Sequence, residues 1–293
     1  MSTTPTSASA EGAWWGTAAR AAAPVLALAT LLACQRSADD VTTSPLLPGA
    51  SGAAVWTDDF ESGTLDAWSD GVDPSRHRVV ADRASAHSGS RYLAVTYPAG
   101  RDGGWLTHFL GRGYDSLYVS YYVRFPSHWN GGTKLVALYG SRTDDPWSAF
   151  GKAGVCPSGA DFFAAMLVAE SSGSPGPVRF YTYYPGMARE PDGVTCWGRY
   201  GDGVATYTPP LTLSAGEWHR VEFSVQLDTP GRRNDRQRFW LDGIERGSWP
   251  ALSLRDSALL QLNAVQLTFS TSQGVAQTQE VRVDDVVVRT ARP

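Results

Sequence analysis

The sequence predicts an all-β protein, a two-sheet β-sandwich of jelly-roll type. Three observations point there. Short runs rich in Val, Tyr, Phe, Thr and Trp recur along the chain. Clusters drawn from 30 glycines and 18 prolines separate them, which is strand-and-turn punctuation. Stretches with the helical period of apolar residues are scarce.

Taken in order, residues 1–33 read as an export signal. The apolar run Ala21–Ala33 is too short to span a bilayer, which takes roughly 20 residues, and it closes on small residues as a secretory signal does. Leu31-Leu32-Ala33-Cys34 resembles a bacterial lipobox, which implies lipidation of Cys34 and leaves it as the new N-terminus. The stretch before it is rich in Ser, Thr and Ala, with Arg20 its only basic side chain. An ordinary signal cleaved elsewhere and an uncleaved anchor remain the alternatives. Residues 34–52 have the Ser/Asp/Pro/Gly character of a flexible tether, which cannot bury a core. Residues 53–291 then form a single jelly-roll domain with no second linker.

Within that domain, strands are expected where apolar residues alternate: Leu117–Phe125, Val178–Tyr184, Trp218–Leu227, Val265–Ser270 and Val281–Val288; the apolar run Asp161–Val168 is read as a further strand. Arg238–Leu241 runs into Asp242-Gly243, a tight hairpin signal. Ser171–Pro177 is a loop between strands. About a dozen such strands suit a two-sheet jelly roll.

Composition narrows the function. The net charge is −4, and the basic face that nucleic-acid binding requires is missing. The chain has two lysines, Lys134 and Lys152, against 23 arginines; this reads as compositional bias and makes no functional argument by itself. There is no Gly-x-Ser-x-Gly elbow and no His-Glu-x-x-His pair. The Glu-x-Asp-x-x-Glu spacing of jelly-roll glucanases, a paired-carboxylate arrangement, is also missing. His219, in a strand beside Trp218, reads as structural.

Several segments resemble a known group. Asp58-Asp59-Phe60-Glu61-Ser62-Gly63, Trp68, Ala86–Arg91 and Val283-Asp284-Asp285-Val286 resemble the opening and closing strands of carbohydrate-binding jelly rolls. Gly216–His219, Gln226–Gly231 and Trp240–Gly243 resemble the concanavalin A-like sandwich of polysaccharide lyase family 14 and its non-catalytic relatives. The resemblance covers roughly Val55 to Arg289.

That resemblance implies a structural calcium ion tying the first strand to the last. Glu61 and Asp284 or Asp285 would supply carboxylates, and the Ser88-Gly89-Ser90 turn would supply carbonyls, the hard oxygens calcium takes. The alternative is a turn-capping Glu61 and solvated aspartates.

It also implies a saccharide site. Gly131–Gly140 resembles the family's Gly-Gly-Lys-Leu segment with one residue inserted before Lys134, and Tyr181-Thr182-Tyr183-Tyr184-Pro185 matches its tyrosine strand. Lys134, Tyr181 and Tyr183 would then be the catalytic set for β-elimination on a uronide. The Ser-x-Arg strand expected between them is apolar here, and losing that arginine removes the planar cation best suited to a carboxylate. Arg142 or Arg179 is the expected replacement, with Trp147 and Trp197 as sugar platforms. Alternation places Tyr181 and Tyr183 on one face, opposite Phe180, Thr182 and Tyr184. A surface lysine and a plain amphipathic strand are the alternatives.

Cys156 and Cys196 flank the tyrosine strand and are expected to pair in an oxidising compartment, pinning two loops beside the groove; two separate buried thiols are the alternative. The leading expectation is a monomeric, exported protein, lipid-anchored to a bacterial cell envelope through Cys34, that binds polysaccharide. A lyase for an acidic polysaccharide is the first alternative. A non-catalytic structural or adhesion protein is the second.

Overall fold

The computed structural model describes residues 52–173, 175–271 and 273–293; the signal segment, Cys34 and the tether before Gly52 lie outside them. Among the described residues the chain forms fourteen strands and no helix. They are β1 (Ala54–Asp58), β2 (His77–Ala81), β3 (Arg91–Tyr97), β4 (Trp105–Tyr114), β5 (Ser116–Arg124), β6 (Thr133–Arg142) and β7 (Phe162–Ala169). β8 (Val178–Tyr183), β9 (Thr206–Tyr207), β10 (Trp218–Gln226), β11 (Asp235–Leu241), β12 (Ile244–Leu252), β13 (Leu260–Thr268) and β14 (Gln279–Arg289) follow.

Two antiparallel sheets result. The larger runs β2-β3-β14-β5-β10-β11-β12-β9, with β1 paired to the second half of β14. The smaller runs β4-β13-β6-β7-β8. Sequence neighbours are thus often far apart in a sheet, as the crossing connections of a jelly roll require. The predicted hairpin joins β11 to β12: Asp242 (φ 52°) and Gly243 (φ 79°) both take the left-handed conformation, which a two-residue turn of this hand demands.

One face of each sheet meets the other in an apolar core. Val119, Val123, Phe223, Phe239 and Val283 of the larger sheet lie opposite Val136, Leu138, Phe163, Leu167 and Phe180 of the smaller, all at most 1% exposed. The smaller sheet also carries apolar residues on its outer face. Ala137, Phe162, Ala164, Met166 and Tyr183 form a second cluster with Met187 and Cys196. β7 is therefore buried at every position, which explains why its sequence shows no alternation: loops cover the side that would otherwise meet solvent.

Candidate active site

The outer face of the smaller sheet holds a groove made of two adjoining cavities of about 920 and 440 Å³, which share Lys134 and Ser270. The larger is polar, lined by Asn130, Thr133, Glu170, Tyr200 and Gln273 among others. The smaller is aromatic, lined by Trp105, Tyr139, Trp147, Phe150 and Tyr183.

Lys134 stands where the halves meet. Strict alternation would put it on the face of Val136 and Leu138, in the core. A β-bulge prevents this: Lys134 pairs with Val168, while Val136 already pairs with Leu167, leaving Leu135 as an extra residue. Such a bulge re-aims a side chain, and here it moves Lys134 to the face of Ala137 and Tyr139. The loop before it is fixed by Trp129, whose indole N–H donates to Gly131 O at 2.7 Å. Gly131 sits at φ 119°, which favours glycine. The Lys134 N–H donates to Ser270 O at 2.9 Å.

β8 supplies the tyrosines. Phe180 and Thr182 are fully buried in the sandwich, so Tyr181 and Tyr183 face the groove as alternation predicts. The Lys134 Nζ lies 5.6 Å from the Tyr181 ring centre, and the Tyr181 and Tyr183 hydroxyl oxygens are 3.5 Å apart. The three expected catalytic residues thus form a continuous line. Burial lowers the Lys134 pKa below its ordinary 10.5, with Asp102 acting weakly the other way. Burial raises the Tyr183 pKa, and the neighbouring Tyr181 adds to the rise, so Tyr183 keeps its proton.

Cys156 and Cys196 are joined by a disulfide. Beside it the Cys196 N–H donates to Gly154 O at 3.0 Å, and Thr182 and Arg199 exchange backbone hydrogen bonds at 2.9 Å. These contacts hold the β6–β7 loop and the segment after β8 together next to the tyrosines.

Both arginines expected to replace the missing guanidinium are paired with carboxylates of the protein. Arg142 closes β6, at the opposite end of the strand from Lys134, and grips Asp144 through two hydrogen bonds of 2.8 and 2.6 Å. Arg179 is bonded to Asp202, lies 3.5 Å from Glu170, and stacks on Tyr200 and Tyr207. Both charges are spent within the protein. The acidic neighbours of Arg179 come from other loops, which no strand pattern reveals. The apolar β7 face is as expected: Ala164 and Met166 sit opposite Tyr183 and Tyr181. Trp147 lines the aromatic half and is 51% exposed. Trp197 is 47% exposed and lines neither half.

Sequence reasoning missed Trp105, Tyr139, Gln266 and Lys152. Gln266 was the most legible: a glutamine in a strand of apolar residues, buried because its amide donates to Thr107 Oγ1 at 2.8 Å. His219 is structural: Nδ1 meets Asp242 at 2.8 Å, and Nε2 receives the Ser214 backbone N–H at 3.0 Å. The Ser214 hydroxyl and carbonyl oxygens also lie 3.1 Å from Nε2.

The residues expected to hold calcium do gather, from the β1–β2 loop, the turn before β3 and β14. The turn presents N–H groups to the carboxylates rather than the expected carbonyls. Ser90 and Arg91 N–H both donate to Glu61 at 2.7 Å, and the Ser90 hydroxyl reaches its other oxygen at 2.8 Å. These bonds from Ser90 lower the Glu61 pKa. His87 and Ser88 N–H donate to Asp284, and Asp285 accepts from the Ser88 hydroxyl and meets His87 Nδ1. Burial pushes the Asp284 pKa up to about 6. The side-chain oxygens suit calcium in kind. Among the described residues, however, no three His, Cys, Asp or Glu side chains converge to hold a metal.

Comparison with known proteins agrees with the fold. An alginate lyase from Aplysia kurodai superposes with a TM-score of 0.62 at 15% identity, covering 82% of this chain and 100% of that one. An alginate lyase from Chlorella virus gives 0.61 at 14% identity, with 82% and 100% covered. A glucuronan lyase from the fungus Trichoderma reesei gives 0.54 at 18% identity, with 82% and 96% covered. At such identities the likeness establishes the shared jelly-roll fold. No curated protein sequence matches the chain. The polysaccharide lyase 14 family model matches residues 87–279, which include β6, β8 and both cysteines of the disulfide, and the chain belongs to that carbohydrate-active family.

Proposed function

We propose that the groove binds an acidic polysaccharide and that Lys134, Tyr181 and Tyr183 cleave it by β-elimination. The observation that carries this reading is the unbroken line from the Lys134 ammonium over the Tyr181 ring to the Tyr183 hydroxyl, at the junction of two cavities.

The chemistry follows from the two perturbed groups. In β-elimination the C5–H and C4–O bonds of a uronide break and a C4=C5 double bond forms. Lys134, its pKa lowered by burial, takes the C5 proton as a neutral amine; a base works best with a pKa near the working pH. The Tyr181 hydroxyl returns a proton to the departing O4. Tyr183, held protonated, hydrogen-bonds to the Tyr181 oxygen left behind. The aromatic half offers flat rings to the C–H faces of pyranoses.

Incubating the purified protein with a panel of polyuronides and following the unsaturated product by ultraviolet absorbance tests this. Turnover that disappears in Lys134→Ala supports it. Retention on immobilised glycan without turnover reduces the protein to a binding module. Neither turnover nor retention returns it to a structural or adhesive role.

Three further parts of the reading rest on less. Export and lipid anchoring in a bacterial envelope are supported by the Leu31–Cys34 motif; Cys34→Ser should move the protein from the membrane to the soluble fraction. A structural calcium ion is supported by the all-oxygen side chains of Glu61, Ser88, Ser90, Asp284 and Asp285. A monomer is supported because one copy contains the whole groove.

A further inference from the structure

The groove is lined by a cationic residue that neither strand pattern nor motif identifies. The chain has two lysines in 293 residues, and arginine occupies every other strongly basic position. Both lysines line the same 440 Å³ aromatic cavity. Compositional bias toward arginine does not explain that coincidence.

Their state differs from that of the arginines nearby. Among the described residues no salt bridge involves a lysine, while Arg142, Arg179 and Arg199 each hold a carboxylate. Asp70 also lines the cavity, but its Oδ2 accepts from the Trp105 indole at 3.1 Å. The aromatic half is therefore lined by two lysines against one aspartate.

Lys152 is also held firmly for a loop residue. Gly151 (φ 70°) and Gly154 (φ 80°) bend the chain on either side of it. The Val155 N–H donates to Lys152 O at 3.0 Å, and Gly154 O accepts from the Cys196 N–H. The disulfide closes two residues later. On the other side, Trp147 and Phe150 pack against each other and against Phe109. A surface lysine needs none of this.

We propose that Lys152 is the residue that holds the carboxylate of a uronide lying in the aromatic half, the task the missing guanidinium would have done. Resting on the function proposed above, this narrows the substrate: the aromatic half selects a charged uronide over a neutral sugar. Lys134 handles the proton, and Lys152 reads the charge.

The test compares wild type, Lys152→Ala and Lys152→Arg, measuring both turnover of a polyuronide and its binding, with a neutral glucan as control. Lys152→Ala should raise KM, or weaken binding, about tenfold, equivalent to about 1.4 kcal/mol. The melting temperature should not change, and a fall in kcat would accompany the rise in KM where the held carboxylate belongs to the sugar that loses its C5 proton, because that carboxylate gains charge in the transition state. Lys152→Arg should restore most of the loss, and binding to the glucan should be unaffected. Unchanged KM and binding in Lys152→Ala overturn the proposal while leaving a working lyase intact. Charge-dependent binding lost in Lys152→Ala without wild-type turnover upholds it and removes the catalytic reading. A wild type that neither binds nor cleaves any polyuronide overturns both.

Discussion

Lys134 reaches the groove because of one extra residue, Leu135, and its chemistry depends on being buried there. As a base it must be neutral, and burial brings the neutral form to a lower pH than for a free lysine. The rate should therefore rise with pH, with a midpoint below 10.5, while Tyr183, shifted the other way, stays protonated. A pH–rate profile checks this, and a flat profile would give the proton to another group. Lys134→Arg is the sharper variant, because a guanidinium keeps the cation but cannot deprotonate. It should lose roughly 10²–10⁴-fold in kcat, the usual contribution of a positioned base. Retained activity in Lys134→Arg would recast Lys134 as a carboxylate-holding cation. The tyrosines were readable from sequence because period two needs only local information. The ion pairs of Arg142 and Arg179 were not readable, because their partners, Asp144 in the turn and Asp202 across a loop, are fixed by tertiary structure. Lys152 was set aside because a loop lysine has no period to read.

At the scale of elements, the alternating strands were legible, and so was the apolar β7, expected at Asp161–Val168 and found at Phe162–Ala169. β5, β8, β10 and β14 lie within a residue or two of their expected ranges, since each has one face in the core. β6 breaks its pattern at the bulge, and β7 is buried on both faces. In the β6–β7 ladder the Phe163 ring fills the space beside its partner Gly140. A Cβ on Gly140 would come within 1.9 Å of Phe163 Cε1, and Phe163 is fully buried. Gly140→Ala should therefore destabilise the domain by about 1–3 kcal/mol, the usual cost of overpacking, read from urea unfolding; a neutral result would mean that the two strands can separate locally. The disulfide acts between elements. It joins residues 40 apart, and a loop of that length gives about 4 kcal/mol by chain entropy. Replacing both cysteines by serine should lower the melting temperature. It should also raise KM more than it lowers kcat, because Trp147 and Lys152 sit on the stapled loop while Lys134 and Tyr181 sit on strands.

At the scale of the whole molecule, the chain ends must meet for the sandwich to close. β1 pairs with β14 across more than 200 residues, Asp58 with Val286 among the partners. Beside that junction Glu61, the 87–91 turn, Asp284 and Asp285 are cross-linked by hydrogen bonds. The sequence revealed that these residues gather, through the resemblance of its two ends. It could not reveal that backbone N–H groups face the carboxylates, since that depends on the turn's conformation. The same cluster holds Asp284, fully buried, directly beside the carboxylate of Asp285. Calcium placed among these oxygens would relieve that crowding and replace some of the N–H contacts. If it binds, chelation followed by calcium at a hundred times its Kd should stabilise the fold by about 2.7 kcal/mol. For a domain of this size that is roughly 5–10 °C in melting temperature, at about 2–4 °C per kcal/mol. Asp284→Asn should remove most of the shift, and magnesium, which demands a tighter octahedral shell, should not reproduce it. No shift with calcium in the wild type would mean that the hydrogen bonds alone tie the first strand to the last.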